Sequence, residues 1–229
     1  MKKKVFIATV IIFVTGFSVN AQVLVGGNLG LMHHTHEEQG EKSPTSFQFS
    51  ISPKIGYELN SNFLVGTFLS YSSGTSKEIL WGSPNFDKKQ SSISFGVGGF
   101  GRYSLLKFSK LVLVAEGQIG FRKGSSNIWH RYSGYTEWNT PASESLSTTK
   151  FYTNVFPALT YNLTNKLIFD VCFNFFNLGF SSSSTTQKNN SFGSEMKTKD
   201  TYFGFKADTF LGSVSNWFDS ITVGFYYRF

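Results

Sequence analysis

Ser220–Phe229, SITVGFYYRF, decides the fold. Ile221, Val223, Phe225, Tyr227 and Phe229 are apolar or aromatic, and Thr222, Gly224, Tyr226 and Arg228 alternate with them. A period of two places the first set on one face of an extended strand and the second on the other. A strand with one greasy face suits the closing strand of a transmembrane β-barrel, which shows that face to lipid and pairs with the first strand.

The same grammar runs back through the chain. Ser46–Leu59 is its cleanest instance: Phe47, Phe49, Ile51, Pro53, Ile55, Tyr57 and Leu59 oppose Ser46, Gln48, Ser50, Ser52, Lys54, Gly56 and Glu58. Alternating segments also start at Gln22, Phe63, Ser92, Leu111, Thr149 and Lys166. Brief connections at 60–62, 107–110 and 164–165 carry turn residues. Polar loops are expected over His33–Thr45, Ser76–Ser91, Gly124–Ser147 and Ser181–Asp200. The long-short asymmetry predicts an all-β, antiparallel up-and-down transmembrane barrel of eight strands, with long outer loops and short periplasmic turns. Thr201–Val214 is strand-like as well and reads as a descending arm that extends the last hairpin; a ten-stranded barrel is the alternative if a strand hides in 125–148. Residues 53–59 and 157–163 share a Pro, a Tyr four positions on and a Leu two further.

Composition agrees. Of 229 residues, 15% are charged and 17% aromatic, with 26 Phe, against about 25% charged in ordinary domains. No apolar run is long enough to span a bilayer as a helix. Residues 1–21 read as a signal peptide: Lys2, Lys3 and Lys4, an apolar run Val5–Val14, and a small-residue site at Val19-Asn20-Ala21. Residues 22–229 are then the barrel domain. Without the three leader lysines the formal charge falls from +7 to +4, too little to argue for a nucleic-acid partner. Cys172 is the only cysteine, so no intrachain disulfide forms.

If the apolar faces meet lipid, Lys54, Glu58, Arg102, Glu116, Arg122, Lys150, Asp170 and Arg228 point inward. The bore of an eight-stranded barrel is just wide enough for side chains to fill, so these charges are expected to pair in layers that plug it. Tyr57, Tyr71, Tyr103, Tyr161 and Tyr227 fall near strand ends and suggest interfacial girdles. Trp81, Trp129, Tyr132, Tyr135 and Trp138 sit in expected loops, where they pack the loops or meet a glycan or protein. His33, His34 and His36 lack the spacing of a helical metal site and read as solvated. His130, near Ser125, Ser126 and Glu137, is the sole hint of a catalytic set, and no G-x-S-x-G or H-E-x-x-H is present. No enzyme activity, cofactor or metal is expected.

The leader, the SPKIGYEL strand ending, GFGRYSLL (99–106) and VGFYYRF (223–229) together resemble the small outer-membrane β-barrel domain proteins abundant in Bacteroidota, similar in architecture to the OmpX and OmpA transmembrane barrels. The resemblance implies outer-membrane location and insertion by the barrel-assembly machinery, with Phe225, Tyr227 and Phe229 matching its C-terminal signal. It implies no shared catalytic motif. The expected partners are outer-membrane lipid, the assembly machinery during biogenesis, and an extracellular ligand or protein met through the loops; a monomer is expected. A structural or surface-interaction role leads. A narrow channel for small solutes is the alternative, and a lipid-modifying enzyme comes third.

Overall fold

The computed structural model describes residues 22–38, 41–80, 86–132, 144–174, 177–189, 193–206 and 221–229. The expected signal peptide lies outside them. Ten antiparallel strand segments form one sheet: β1 (Val23–Glu38), β2 (Glu41–Asn60), β3 (Phe63–Leu80), β4 (Phe86–Phe108), β5 (Leu111–Tyr132), β6 (Glu144–Asn162), β7 (Leu167–Phe173), β8 (Asn177–Asn189), β9 (Ser194–Lys206) and β10 (Ile221–Arg228).

Eight of the ten close a ring. Each of β1 to β6 pairs with its successor, β7 pairs with β10, and β10 returns to β1 through Leu24↔Arg228 to Leu29↔Val223. The stagger accumulated over one circuit is about ten residues, which tilts the strands by about 40° in a barrel of this size. The remaining two segments build a hairpin on top of the wall. Strand β8 continues β7 along β6, and β9 pairs with β8. Thus residues 201–206 of the expected arm lie in β9 and pair with β8 in this hairpin, together with 194–200 of the expected loop; the rest of the expected arm, 207–214, falls outside the described residues. The bend expected near Gly212–Asp219 falls outside the described residues.

The join between β7 and β8 breaks the alternation. Ala158↔Cys172 gives way to Val155↔Leu178, so three steps along β6 face six along the neighbouring chain. This three-residue insertion is odd in number and reverses the facing: even positions point inward on β7 (Asp170, Cys172) but outward on β8, where Leu178 is exposed.

The expected long loops need correction. β1 and β2 run on to Glu38↔Glu41, β3 and β4 to Leu80↔Phe86, and β8 and β9 to Asn189↔Ser194. Much of Gly124–Ser147 is paired strand too, since β5 reaches Tyr132 and β6 begins at Glu144. Polar, Ser- and Thr-rich sequence there satisfies its backbone by cross-strand pairing above the apolar zone. No extra strand lies among the described residues of 125–148.

Turns at the other end follow local chemistry. Asn60 Oδ1 accepts from the Asn62 and Phe63 amides at 2.9 Å each. Thr164 Oγ1 does the same for Lys166 (3.2 Å) and Leu167 (2.9 Å). Ser109 takes the left-handed conformation, φ 52°.

Large apolar side chains face outward around the ring, among them Leu69, Phe95, Val97, Ile119, Phe121 and Phe225. Aromatic rows bound this belt. At the turn end stand Tyr57, Tyr103, Tyr161 and Tyr227. Toward the hairpins Phe49, Tyr71 and Phe95 touch in sequence, with centroids 6.5 and 5.0 Å apart, as do Phe121, Phe151 and Phe180 at 5.0 and 6.4 Å. From Tyr57 to Phe49, or Tyr103 to Phe95, is about 26 Å of strand at ~3.3 Å per residue, or about 20 Å of height once tilted.

Candidate functional site: the barrel interior

The inward positions of seven strands meet in one buried network. Glu116 (β5) and Asp170 (β7) are both 0% exposed. Lys54 (β2) reaches Glu116 Oε1 at 2.5 Å. Arg102 (β4), the direct cross-strand partner of Glu116, donates from Nε to Oε2 at 2.7 Å and from its second amino nitrogen to Asp170 Oδ2. Thr160 (β6) donates to Asp170 Oδ1 at 2.7 Å, and Gln118 to Glu116 Oε1 at 2.6 Å. The Cys172 thiol donates to Asp170 Oδ2 at 3.2 Å and accepts from Asn28 (β1) at 3.5 Å, while the Tyr226 hydroxyl (β10) donates to Asn28 Oδ1 at 2.9 Å. Two cations and two anions balance, and their hydrogen-bonding atoms are largely satisfied. That is the condition under which buried charge is tolerated.

The network is seated on apolar side chains. Lys54 Nζ lies 5.1 Å from the Phe100 ring centre and the Arg102 guanidinium 5.2 Å from that of Tyr226. Leu24, Ile168 and Tyr226 pack as one cluster, Phe68, Phe100 and Tyr152 as another, and Val114, Phe156, Ala158 and Cys172 as a third. Glycine makes the room. A Cβ on Gly66 would stand 2.6 Å from Phe100 Cε1 and 2.2 Å from the Ile55 carbonyl oxygen; one on Gly98 would stand 2.6 Å from Phe68 Cζ.

The eight charges singled out from the sequence therefore fall into three groups. Lys54, Arg102, Glu116 and Asp170 form the buried plug. Glu58 and Arg228 pair at 2.8 Å at the turn-end rim, each 25% exposed, with Arg228 also donating to the Asn165 carbonyl at 3.3 Å. Arg122 and Lys150 form the third group. They hold directly opposed register positions on β5 and β6 and line one cavity, with the Arg122 guanidinium carbon 5.6 Å from the Tyr152 ring centre. That cavity, about 590 Å³, lies on the hairpin side of the plug; a second of about 210 Å³ lies on the turn side.

The interior also holds large apolar side chains beside the charges expected there. Phe68, Phe100, Phe156, Ile168 and Tyr226 all point inward and are buried. Their neighbours along the strand are apolar or small, so alternation alone does not separate the faces; glycines at inward positions nearby were the available signal.

Glu116, Asp170 and Cys172 bring ligand atoms within 4.8 Å of one another, the one such buried group among the described residues. Both carboxylates are already neutralised by Arg102 and Lys54, so an added cation would meet two fixed positive charges. His33, His34 and His36 belong to the β1 backbone, not to a loop, and their side chains lie outside the described residues. His130 Nε2 faces Glu144 at 3.9 Å; Glu137 of the suggested catalytic set lies outside the described residues. Trp129 and Tyr132 lie in β5, with Lys89 Nζ 5.6 Å from the Trp129 ring centre, while Trp81, Tyr135 and Trp138 lie outside the described residues.

No protein-family model matches the chain, and no curated protein matches it. Solved structures similar in strand layout include a major outer membrane protein from Thermus thermophilus (13% identity, 92% of this chain and 100% of that one, TM-score 0.43). Neisserial surface protein A (NspA) is another, at 14% identity over 92% of this chain and 100% of its own, TM-score 0.34. Ail, the attachment invasion locus protein of Yersinia pestis, is 12% identical over 93% and 100%, TM-score 0.34. At these values none of them informs on what this chain does.

Proposed function

We propose that this chain is an integral outer-membrane β-barrel whose bore is shut by its own side chains and whose role lies in the hairpins it holds above the membrane. The observation that carries this reading is the outward belt. Leu69, Phe95 and Phe121 are each about 60% exposed on a closed ring, and apolar surface continuous around a molecule is far beyond what a water-soluble monomer shows. A bilayer covers such a belt, and the closed ring leaves its spanning backbone no open edge. The two aromatic rows fit the headgroup levels.

Closure of the bore is supported by the plug, which separates the two cavities with paired and packed side chains from all eight strands of the ring. The outward row Phe225, Tyr227 and Phe229 on the closing strand is the surface we assign to recognition during assembly. The test of location and closure is joint. Refolded into phospholipid vesicles, the chain is expected to migrate differently on gels with and without boiling and to give no stable unitary current in planar bilayers. Identical migration of a folded preparation counts against the barrel in lipid, and a steady current against the closed bore. Phe229→Ser is expected to lower the amount assembled in the outer membrane while export continues; unchanged assembly removes that role.

A further inference from the structure

The turn end of the barrel differs in charge from the hairpin end. Its segments are 58–63, 104–112, 160–167 and 228–229, and all lie among the described residues. They carry Lys107, Lys110, Lys166 and Arg228 against a single acidic side chain, Glu58. Glu58 is taken by Arg228 at 2.8 Å. Lys107 donates to the Ser61 carbonyl. Lys110 and Lys166 are exposed, and among the described residues neither meets a carboxylate. At the hairpin end the signs are mixed: His130 faces Glu144, and Glu195 meets both Lys188 and Lys197.

Both lysines are anchored by their backbone, which leaves their side chains to reach outward. The Asn162 amide donates to the Lys110 carbonyl at 2.8 Å, and Asn162 Nδ2 donates to the same oxygen at 3.4 Å. The Arg228 amide donates to the Lys166 carbonyl at 2.7 Å. Lys110 therefore adjoins Leu111, which stands opposite Tyr161, and Lys166 adjoins Leu167, which stands opposite Tyr227. Tyr161 and Tyr227 are exposed members of the outward aromatic row at this end. Lys166 Nζ lies 6.0 Å from the Tyr227 ring centre, which sets its charge on the outer wall and not over the bore. A ring face holds an ammonium without cancelling its charge. Lysines at such a level lay their stems on apolar wall and keep the amine among the headgroups.

We infer that Lys110 and Lys166 make the turn end a binding surface for phospholipids of net negative headgroup in the surrounding leaflet. The headgroup phosphate sits against the two amines, and the acyl chains lie along the Leu163, Phe169 and Phe225 side of the belt. The tyrosine row favours a lipid over a soluble anion, because it holds the amines at headgroup depth. Each lysine near an anionic surface contributes about a fivefold preference, which salt screens. The inference rests on the membrane location proposed above.

The test uses the folded barrel in vesicles of phosphatidylcholine with a minority of phosphatidylglycerol. Lipid retained after transfer to mild detergent is counted by native mass spectrometry, and the gel-mobility shift certifies the folding of each variant. The parent is expected to retain phosphatidylglycerol at least about fivefold above its share of the vesicle, and to lose most of that enrichment at high salt. K110Q/K166Q is expected to fold and to retain both lipids in proportion to their supply. K110R/K166R is expected to behave as the parent does. So is K77Q/K89Q, which removes a directly opposed pair of cations on β3 and β4, beyond the other aromatic row. Proportional retention by the parent, enrichment unchanged in K110Q/K166Q, or an equal loss in K77Q/K89Q overturns the inference. A barrel that inserts and shifts on gels but shows no enrichment leaves the proposed function standing, whereas failure to insert overturns both.

Discussion

The two halves of the bore share most of their strands, with β8 taking the place of β7 beside β6 toward the hairpins, yet they are filled by opposite rules. Toward the turns, inward positions hold rings, branched aliphatics, the four buried charges of the plug and the Glu58–Arg228 pair at the rim, and glycines across the way make space for the rings. Toward the hairpins, inward positions hold Ser50, Ser52, Ser70, Ser72, Gln48, Asn154 and the pair Arg122 and Lys150, and space is left over. The difference teaches where a small barrel keeps its stability. Buried apolar area and a neutral, fully connected set of charges supply cohesion in one half. The other half gives up close packing and leaves polar room.

From this contrast, substitutions of similar size should have very different effects along the bore. The largest is expected for Glu116→Ala. It leaves Lys54 and Arg102 buried without their shared carboxylate, a loss of about 3–5 kcal/mol, read as a lower urea midpoint for unfolding from vesicles. A change below about 1 kcal/mol, the worth of an exposed pair, would mean that the plug is solvated and the contrast is false. Next comes Gly66→Ala, still in the packed half. Its Cβ meets the Ile55 carbonyl oxygen at 2.2 Å and Phe100 at 2.6 Å, so overpacking should cost about 1–3 kcal/mol, whereas Gly74→Ala, 3.2 Å from the movable Ser92 hydroxyl, should cost clearly less. Arg228→Gln breaks a partly solvated rim pair and is expected to cost no more than about 1 kcal/mol by the same measurement.

Much of the wall was legible because lipid and bore impose period two on most strands. Ser46–Leu59 and Ser220–Phe229 show their outward faces without any structural information. The interior was less legible for a physical reason. Phe68 follows an outward Thr67, and Phe100 stands among glycines, so neither breaks a clear pattern. Whether an inward ring is tolerated depends on what faces it, and Gly66 and Gly98 come from other strands. Pairing among Lys54, Arg102, Glu116 and Asp170 is likewise set by the stagger of the barrel, which no local window contains. The expected loops misled because polarity was read as irregularity: β8 and β9 are as polar as a loop over Ser181–Asp200 and still pair residue by residue. FNFFN at 173–177 hid the reversal of facing, since a run with apolar residues at both parities fits either phase.

That reversal has a consequence for how the molecule can vary. An insertion of three residues on one side, with residues 207–220 between β9 and β10, uncouples the phase of the β8–β9 hairpin from the phase of the ring. The hairpin still pairs with β6 along β8, from Val155↔Leu178 to Glu144↔Asn189, but its outer strand β9 answers only to β8. In the vocabulary of engineering that outer strand and its tip are an exchangeable cassette, a place where a foreign epitope can be carried without re-registering the eight strands beneath.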